Sequence, residues 1–341
     1  METVLILVDK ILDNKEKYKQ AVDILKNGGI VAFPTETVYG LGALATDERA
    51  VQEIFKAKGR PSDNPLIVHI GNKEDVSKYA TGVTEDAEKL MTAYWPGPLT
   101  LVFDKIPGVI AANVTPGVET VGIRMPDHPV ALELLRALDG PLAAPSANRS
   151  GKPSPTEAAH VYEDLKGQIP LILDGGQTGI GVESTVLDMT TNPPSILRPG
   201  GITQEMIEEI IGTVQAGSQV PGDEAPRSPG MKYMHYAPKA PLFVISPDET
   251  TIRGTVKMLQ MEGKRVAIIG PDDLNIPEAD WYLSVGPRNH NEVMAARLYG
   301  ALRQCDMTEA DIILAVETDL TGVGTAVMNR LMKAADGKRF I

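Results

Sequence analysis

Through its first two hundred residues the chain alternates short β-rich runs with stretches of helical period, a rhythm that commits it to helices packed on a sheet. Tyr18, Val22 and Leu25 recur at spacings of three and four, on one face of a helix opened by Asn14 and stopped by Gly28-Gly29. A strand over 30–33 follows. Asp47 or Thr46 caps the next helix, which carries Val51, Ile54 and Phe55 on one face and ends near Lys58-Gly59-Arg60-Pro61. Residues 66–70 read as a strand, and Thr84 caps a third helix. Further strands are expected at 99–103, 121–124, 142–144, 171–173, 185–187 and 196–198, with helices at 129–138 and 156–165.

Periodicity stops between about 212 and 241, where Pro221, Pro226, Pro229, Pro238 and Pro241 crowd together. Beyond it, strands at 242–245, 266–269, 281–285 and 312–316 alternate with helices at 249–262, 291–303 and 325–335 in parallel-sheet rhythm. With 341 residues the chain exceeds what one core usually organises. The expected domains are therefore 1–211, a linker at 212–240, and a small α/β domain at 241–341. The linker is no plain spacer, because Met231-Lys232-Tyr233-Met234-His235-Tyr236 offers aromatic, basic and imidazole groups able to dock onto a surface.

Composition narrows the function. Lys and Arg number 33 against 45 Asp and Glu, a net charge of −12 that repels phosphate polymers, so any anion site must be local. Residues 239–341 hold 12 basic and 14 acidic side chains, so most of the acidity belongs to the larger part. The single cysteine, Cys305, excludes an internal disulfide or a multi-cysteine metal site and reads as a small buried apolar residue. No apolar run approaches the roughly 18 residues of a membrane span, and Asp9, Lys10 and Asp13 interrupt the first apolar stretch, so a cytoplasmic location is expected. There is no G-x-x-x-x-G-K-[ST], no H-E-x-x-H and no G-x-S-x-G, and Gly322-Val323-Gly324 lacks the third glycine of a dinucleotide fingerprint. The five histidines lie far apart. His128 and His290 sit at or near helix starts and His160 on a helix, Tyr94-Trp95-Pro96-Gly97-Pro98 reads as a packing corner, and Trp281 as core.

What stands out is a series of segments at strand ends, where α/β proteins place ligands, each combining hydroxyl, amide or cationic groups with Gly or Pro. Pro34-Thr35-Glu36-Thr37-Val38-Tyr39-Gly40-Leu41-Gly42 offers two threonines on a tight backbone, although an ordinary strand-exit turn has the same composition. Lys58-Gly59-Arg60-Pro61, with Asn64 and His69, suits a phosphate or carboxylate, or simply a solvated helix end. Arg124 lies in an apolar strand, where it needs either a bound anion or a salt bridge to Asp127 or Glu119. Ala144-Pro145-Ser146-Ala147-Asn148, Ser150 to Ser154, Asp174-Gly175-Gly176, Val182-Glu183-Ser184-Thr185 and Leu197-Arg198-Pro199-Gly200 continue the series. Six such segments in two hundred residues point together to a ligand site.

In order and content these segments resemble the threonylcarbamoyl-AMP synthase family, a YrdC-like catalytic domain followed in longer members by a small carboxy-terminal domain. The resemblance spans essentially the whole chain, including Trp95-Pro96-Gly97-Pro98-Leu99-Thr100 and the linker segment Ser228-Pro229-Gly230-Met231-Lys232-Tyr233-Met234-His235-Tyr236-Ala237-Pro238. It implies a YrdC-like twisted mixed sheet with flanking helices and a small Rossmann-like domain with a mainly parallel sheet. It also implies an adenylyltransferase that turns L-threonine, bicarbonate or CO2, and ATP into threonylcarbamoyl-adenylate and pyrophosphate. The product would pass to the machinery that modifies tRNA, with tRNA contact indirect or weak.

Carried over from the family's motifs, Thr37, His69, Arg124, the backbone of Ala144, and Ser184 would hold L-threonine. Arg60, Asn64, Thr120, Ser146, Asn148, Ser154 and Arg198 would hold ATP, with Lys58 adding charge near the phosphates. Lys58, Arg60 and Arg124 would serve catalysis, and Mg2+ would arrive with the phosphates and take no protein ligand. Lys232, His235, Tyr236 and Ala237 would close over the nucleotide from the linker. Two other readings stand beside this one. A non-catalytic RNA-binding module using the same surface is disfavoured by the acidity of 1–238, and carbamoyl-adenylate chemistry of the hydrogenase-maturation type lacks its acylphosphatase and zinc-motif segments here.

Overall fold

The computed structural model describes residues 1–8, 15–216, 236–274 and 276–340. They fall into two compact units. The first comprises the described residues of Met1–Ser150, Pro155–Gly179 and Glu183–Lys232. The second comprises those of Gly151–Ser154, Ile180–Val182 and Tyr233–Ile341.

The first unit runs β1 (Val4–Leu7), α1 (Lys15–Lys26), β2 (Val31–Phe33), β3 (Gly40–Leu44), α2 (Glu48–Lys58), β4 (Val68–His69), β5 (Ala80–Thr81), α3 (Glu85–Tyr94), β6 (Leu99–Lys105) and β7 (Thr120–Arg124). It continues with α4 (Pro129–Leu138), β8 (Leu142–Ala143), α5 (Ala158–Leu165), β9 (Leu171–Asp174), β10 (Thr185–Asp188), β11 (Ser195–Arg198), α6 (Gln204–Ile211) and β12 (Gln215–Ala216). The helices begin where polar side chains satisfy free N–H groups. Asp47 accepts from Arg49 and Ala50, Thr84 from Ala87, and His128 Nδ1 from Val130 beside Pro129.

These strands form one mixed sheet in the order β1-β9-β2-β3-β8-β4-β7-β6-β10-β11-β12, with β5 paired to β6. Because side chains alternate across a strand, the pairing register sorts them onto two faces. Ala43, Val68, Ile123, Leu101 and Leu187 share one face and build the main core with Ile54, Leu90, Val161 and Ile207 from α2, α3, α5 and α6. The other face is split. Over its β1-to-β8 half, Phe33, Leu142, Leu171 and Leu173 pack under Leu25 of α1 and Leu134 of α4. Over β4, β7, β6 and β10 the same face carries, among the described residues, a small apolar cluster, Ile67, Val102 and Val186 with Leu197, that includes no helix residue. His69, Arg124, Thr100 and Arg198 fall on that half by register.

Several sequence expectations shift. The 66–70 strand shortens to β4, although Leu66 and Ile70 keep backbone bonds to Val114 and Arg124. Gly40, Leu41 and Gly42, read as part of a turn, form β3, antiparallel to β2. Gly42 is needed there, since a Cβ would lie 2.8 Å from the Phe33 ring. The helix expected from 156 starts at Ala158. Gln215 and Ala216, assigned to the linker, extend the first sheet as β12 beside β11.

The second unit holds β13 (Leu242–Ile245), α7 (Glu249–Met261), β14 (Val266–Gly270), β15 (Trp281–Ser284), α8 (Asn291–Cys305), β16 (Ile312–Val316) and α9 (Gly324–Ala334). Its sheet is wholly parallel, ordered β13-β16-β14-β15. Trp281 is half-exposed on the edge strand, not in the core where the sequence placed it. Cys305 is buried, and burial pushes its thiol up to about 12.

Candidate active site

The loop joining β2 to β3 is set by Thr35, whose hydroxyl donates to Val38 O at 2.6 Å and receives the Thr37 N–H at 3.2 Å. This turn delivers Thr37 to Arg124 at the end of β7: Arg124 Nη1 donates to Thr37 Oγ1 at 3.1 Å. Arg124 is 4% exposed. Its counter-charge is neither Asp127 nor Glu119, the two partners considered from sequence, but Glu36, whose Oε1 lies 2.6 Å from Nη2. In β4, His69 pairs in register with Arg124. Its Nδ1 lies 3.1 Å from Ile67 O, so that nitrogen carries the proton, and burial with the neighbouring guanidinium brings its pKa down to about 3. His69 is a neutral imidazole at any physiological pH. Ala144 follows β8, and its N–H donates to Ile67 O at 2.9 Å.

A second cluster lies on the same half of that face. Arg198 donates through Nε and Nη2 to Ser184 O at 3.1 and 2.9 Å, and through Nη2 to Ser184 Oγ at 3.1 Å. Ser184 Oγ in turn bonds Thr100 Oγ1 at 2.8 Å. Thr120 opens β7 on the same face as Arg124.

A third cluster surrounds the end of α2. Lys58 is buried, and its ammonium donates to the carbonyls of Ser146 and Asn148, each at 2.5 Å. Ser146 Oγ donates to Asn148 Oδ1 at 2.5 Å, and Ala147 N donates to the carbonyl of Tyr39, the residue before β3. Gly59 ends α2 in the left-handed region, φ 60°, and turns the chain so that Arg60 Nη2 reaches Pro65 O at 3.3 Å. Asn64 is buried with neither amide atom bonded among the described residues, a state that normally awaits a ligand or water.

Ser154, Tyr236 and Ala237 belong to the second unit. Arg303 of α8 donates to Pro153 O at 2.6 Å, and Ala237 N donates to Gly151 O at 3.0 Å. Tyr236, at φ 67°, stacks on Tyr299 with centroids 5.2 Å apart, and the Arg330 guanidinium lies 5.9 Å over its ring. Gly181 has to be glycine, because a Cβ there would lie 2.3 Å from Ala295 O of α8. His235 and Lys232 lie outside the described residues. Among the described residues no group of three or more His, Cys, Asp or Glu side chains is placed to hold a metal ion, and no helix is long and apolar enough to cross a membrane.

Two family models cover the chain. One, for Sua5, YciO and YrdC domains and described as telomere recombination, matches residues 23–200; the other, the threonylcarbamoyl-AMP synthase C-terminal domain, matches 202–336. The chain is 49% identical over 334 residues to threonylcarbamoyl-AMP synthase of Bacillus subtilis, covering 97% of this chain and 96% of that protein. The chain belongs to the threonylcarbamoyl-AMP synthase family. Its Pyrococcus abyssi relative of the same name is 48% identical over 331 residues, covering 95% of each chain. The structure of P. abyssi Sua5 complexed with L-threonine superposes with a TM-score of 0.93 at 45% identity, covering 99% of both chains. A doubly substituted form of P. abyssi Sua5, with a histidine and the tyrosine after it replaced by alanine, superposes equally well, at 0.93 and 44% identity, over 99% of this chain and 98% of that one. Membership makes this chain an enzyme of the transferase class that serves tRNA modification.

Sequence reading of this synthase-family chain overlooked Glu36 and Thr100 as site residues. Glu36 pairs with a residue 88 positions away, which local pattern cannot reveal. Thr100 had a visible signal, as the one hydroxyl within Leu99-Thr100-Leu101-Val102-Phe103.

Proposed function

We propose that this chain is an L-threonylcarbamoyladenylate synthase acting in the cytoplasm. It joins L-threonine, bicarbonate or CO2, and ATP into threonylcarbamoyl-adenylate and pyrophosphate for transfer to tRNA. The observation that carries this reading is the buried Arg124 on the half of the sheet face whose apolar cluster no helix of the described residues joins, bonded to Thr37 and beside neutral His69. A guanidinium there suits the forked pairing a carboxylate offers.

In this reading Arg124 holds the threonine carboxylate, while Thr37, His69, the Ala144 carbonyl and Ser184 bind its remaining polar groups. A site that pairs the β-hydroxyl rejects valine strongly, because valine would leave those groups unpaired. Arg60, Asn64, Thr120, Ser146, Asn148, Ser154 and Arg198 position ATP, so that the carbamate oxygen meets the α-phosphorus in line with departing pyrophosphate. Lys58 shapes the loop bearing Ser146 and Asn148 through its two carbonyl bonds. Magnesium rides on the phosphate oxygens, which supply the hard donors it prefers. Lys232, His235, Tyr236 and Ala237 shield the hydrolysable adenylate from water. The test is isotopic: with 13C-bicarbonate, ATP and L-threonine, the product adenylate should gain the label as seen by mass spectrometry. An unlabelled product, or none, would overturn the reading.

A further inference from the structure

Glu36 is the one charged group on the β2–β3 loop, and beyond its pairing with Arg124 it has no role in the reading above. Its side chain is 11% exposed, and neither carboxylate oxygen has a hydrogen-bond partner among the described residues; it has charge contact with Arg124 but no aligned donor. Thr35 fixes the backbone on both sides of it. Among the described residues, Arg124 of β7 lies against it, with His69 of β4 on the far side of the pairing beside Arg124, and Asp127 after β7 feels its charge. His69 is neutral, and Asp127 is raised by burial and by Glu36 itself. Glu36 is therefore the carboxylate that balances Arg124.

Resting on the reading under Proposed function, we propose that Glu36 receives the α-ammonium of the amino-acid substrate and accepts a proton from it as the carbamate forms. If the substrate carboxylate merely displaced Glu36 from Arg124, a buried carboxylate without donors would be left unpaired, at a heavy penalty. A zwitterion inserted between the two avoids this. Its carboxylate takes Arg124, its ammonium takes Glu36, and the net charge of the buried site is unchanged. An ammonium cannot attack carbon dioxide, because its nitrogen has no lone pair. One N–H proton passes to a Glu36 carboxylate oxygen, and the freed pair forms the N–C bond to carbon dioxide while one C=O π pair moves onto oxygen. The second proton leaves to water, giving the carbamate, and Glu36 returns its proton to solvent after turnover.

The test compares wild type with Glu36→Gln, which keeps shape and loses charge, and Glu36→Asp, which keeps a proton acceptor. By calorimetry, Glu36→Gln should bind L-threonine about tenfold more weakly, yet bind 3-hydroxybutyrate, which has the carboxylate and hydroxyl but no amine, at least as well as wild type. Threonine-dependent pyrophosphate release should fall at least about a hundredfold near pH 7 in Glu36→Gln, the scale of a lost general base. It should climb towards the wild-type rate by about pH 9, as free amine forms in solution. Glu36→Asp should restore part of the neutral-pH rate. Unchanged or tighter threonine binding by Glu36→Gln, or an unchanged pH profile, would overturn the proposal. The binding comparison requires no turnover, so it decides on Glu36 even if the wild-type enzyme fails the isotopic test.

Discussion

Lys58 Nζ lies 2.5 Å from Asn148 O, so the last residue of α2 grips a loop 90 positions further along the chain. The same ammonium bonds Ser146 O, and the side chain is 2% exposed. Lys58→Met should strand two buried carbonyls, lowering stability by about 2–4 kcal/mol in urea unfolding and raising the KM for ATP. A variant of unchanged stability and KM would show that the grip is incidental.

Ser184 links Arg198 to Thr100 through a single hydroxyl. Ser184→Ala should leave Thr100 with an unmet bond, cost about 1–3 kcal/mol, and reduce the preference for threonine over valine measured as a ratio of kcat/KM. Preserved discrimination would remove Ser184 from amino-acid selection.

His69 gives a pH dependence with a definite sign. Its folded pKa lies near 3, below its ordinary value, so the unfolded chain takes up a proton that the folded chain refuses as pH falls. Stability should thus be intact above about pH 6.5 and decline below it, by at most about 1.4 kcal/mol per pH unit from this group. Denaturation midpoints for wild type and His69→Gln should converge as pH drops from 7 to 5. Parallel pH curves would contradict the assignment.

Arg303 donates to Pro153 O next to Ser154. Arg303→Met should raise the KM for ATP several-fold while changing the KM for threonine little, and Arg303→Lys should recover part of the loss because it still offers a donor. Equal changes in both constants would argue for general loosening instead.

Much of this was legible in the sequence because the chain obeys local rules. Asp47, Thr84 and Gly59 end or open helices as their chemistry dictates, and the strands of the second unit lie within a residue or so of where their apolar runs place them. Arg124, Thr37 and His69 stood out as polar residues in apolar or tightly turned surroundings. Their juxtaposition was not legible, since it depends on pairing β4 with β7 and on a loop 87 residues upstream. Strand β3 was hidden because Gly40 and Gly42 look like a turn; they are glycine to admit the Phe33 ring. The gripping role of Lys58 was hidden too, because a lysine at a helix end is usually solvated.

The most direct measurement is pyrophosphate release from ATP with Mg2+ and bicarbonate, with and without L-threonine, in wild type and in Arg124→Ala. The account predicts release that depends on threonine, responds weakly to L-valine and L-serine, and is lost in the variant. Release indifferent to threonine, or fully retained by folded Arg124→Ala, would contradict it.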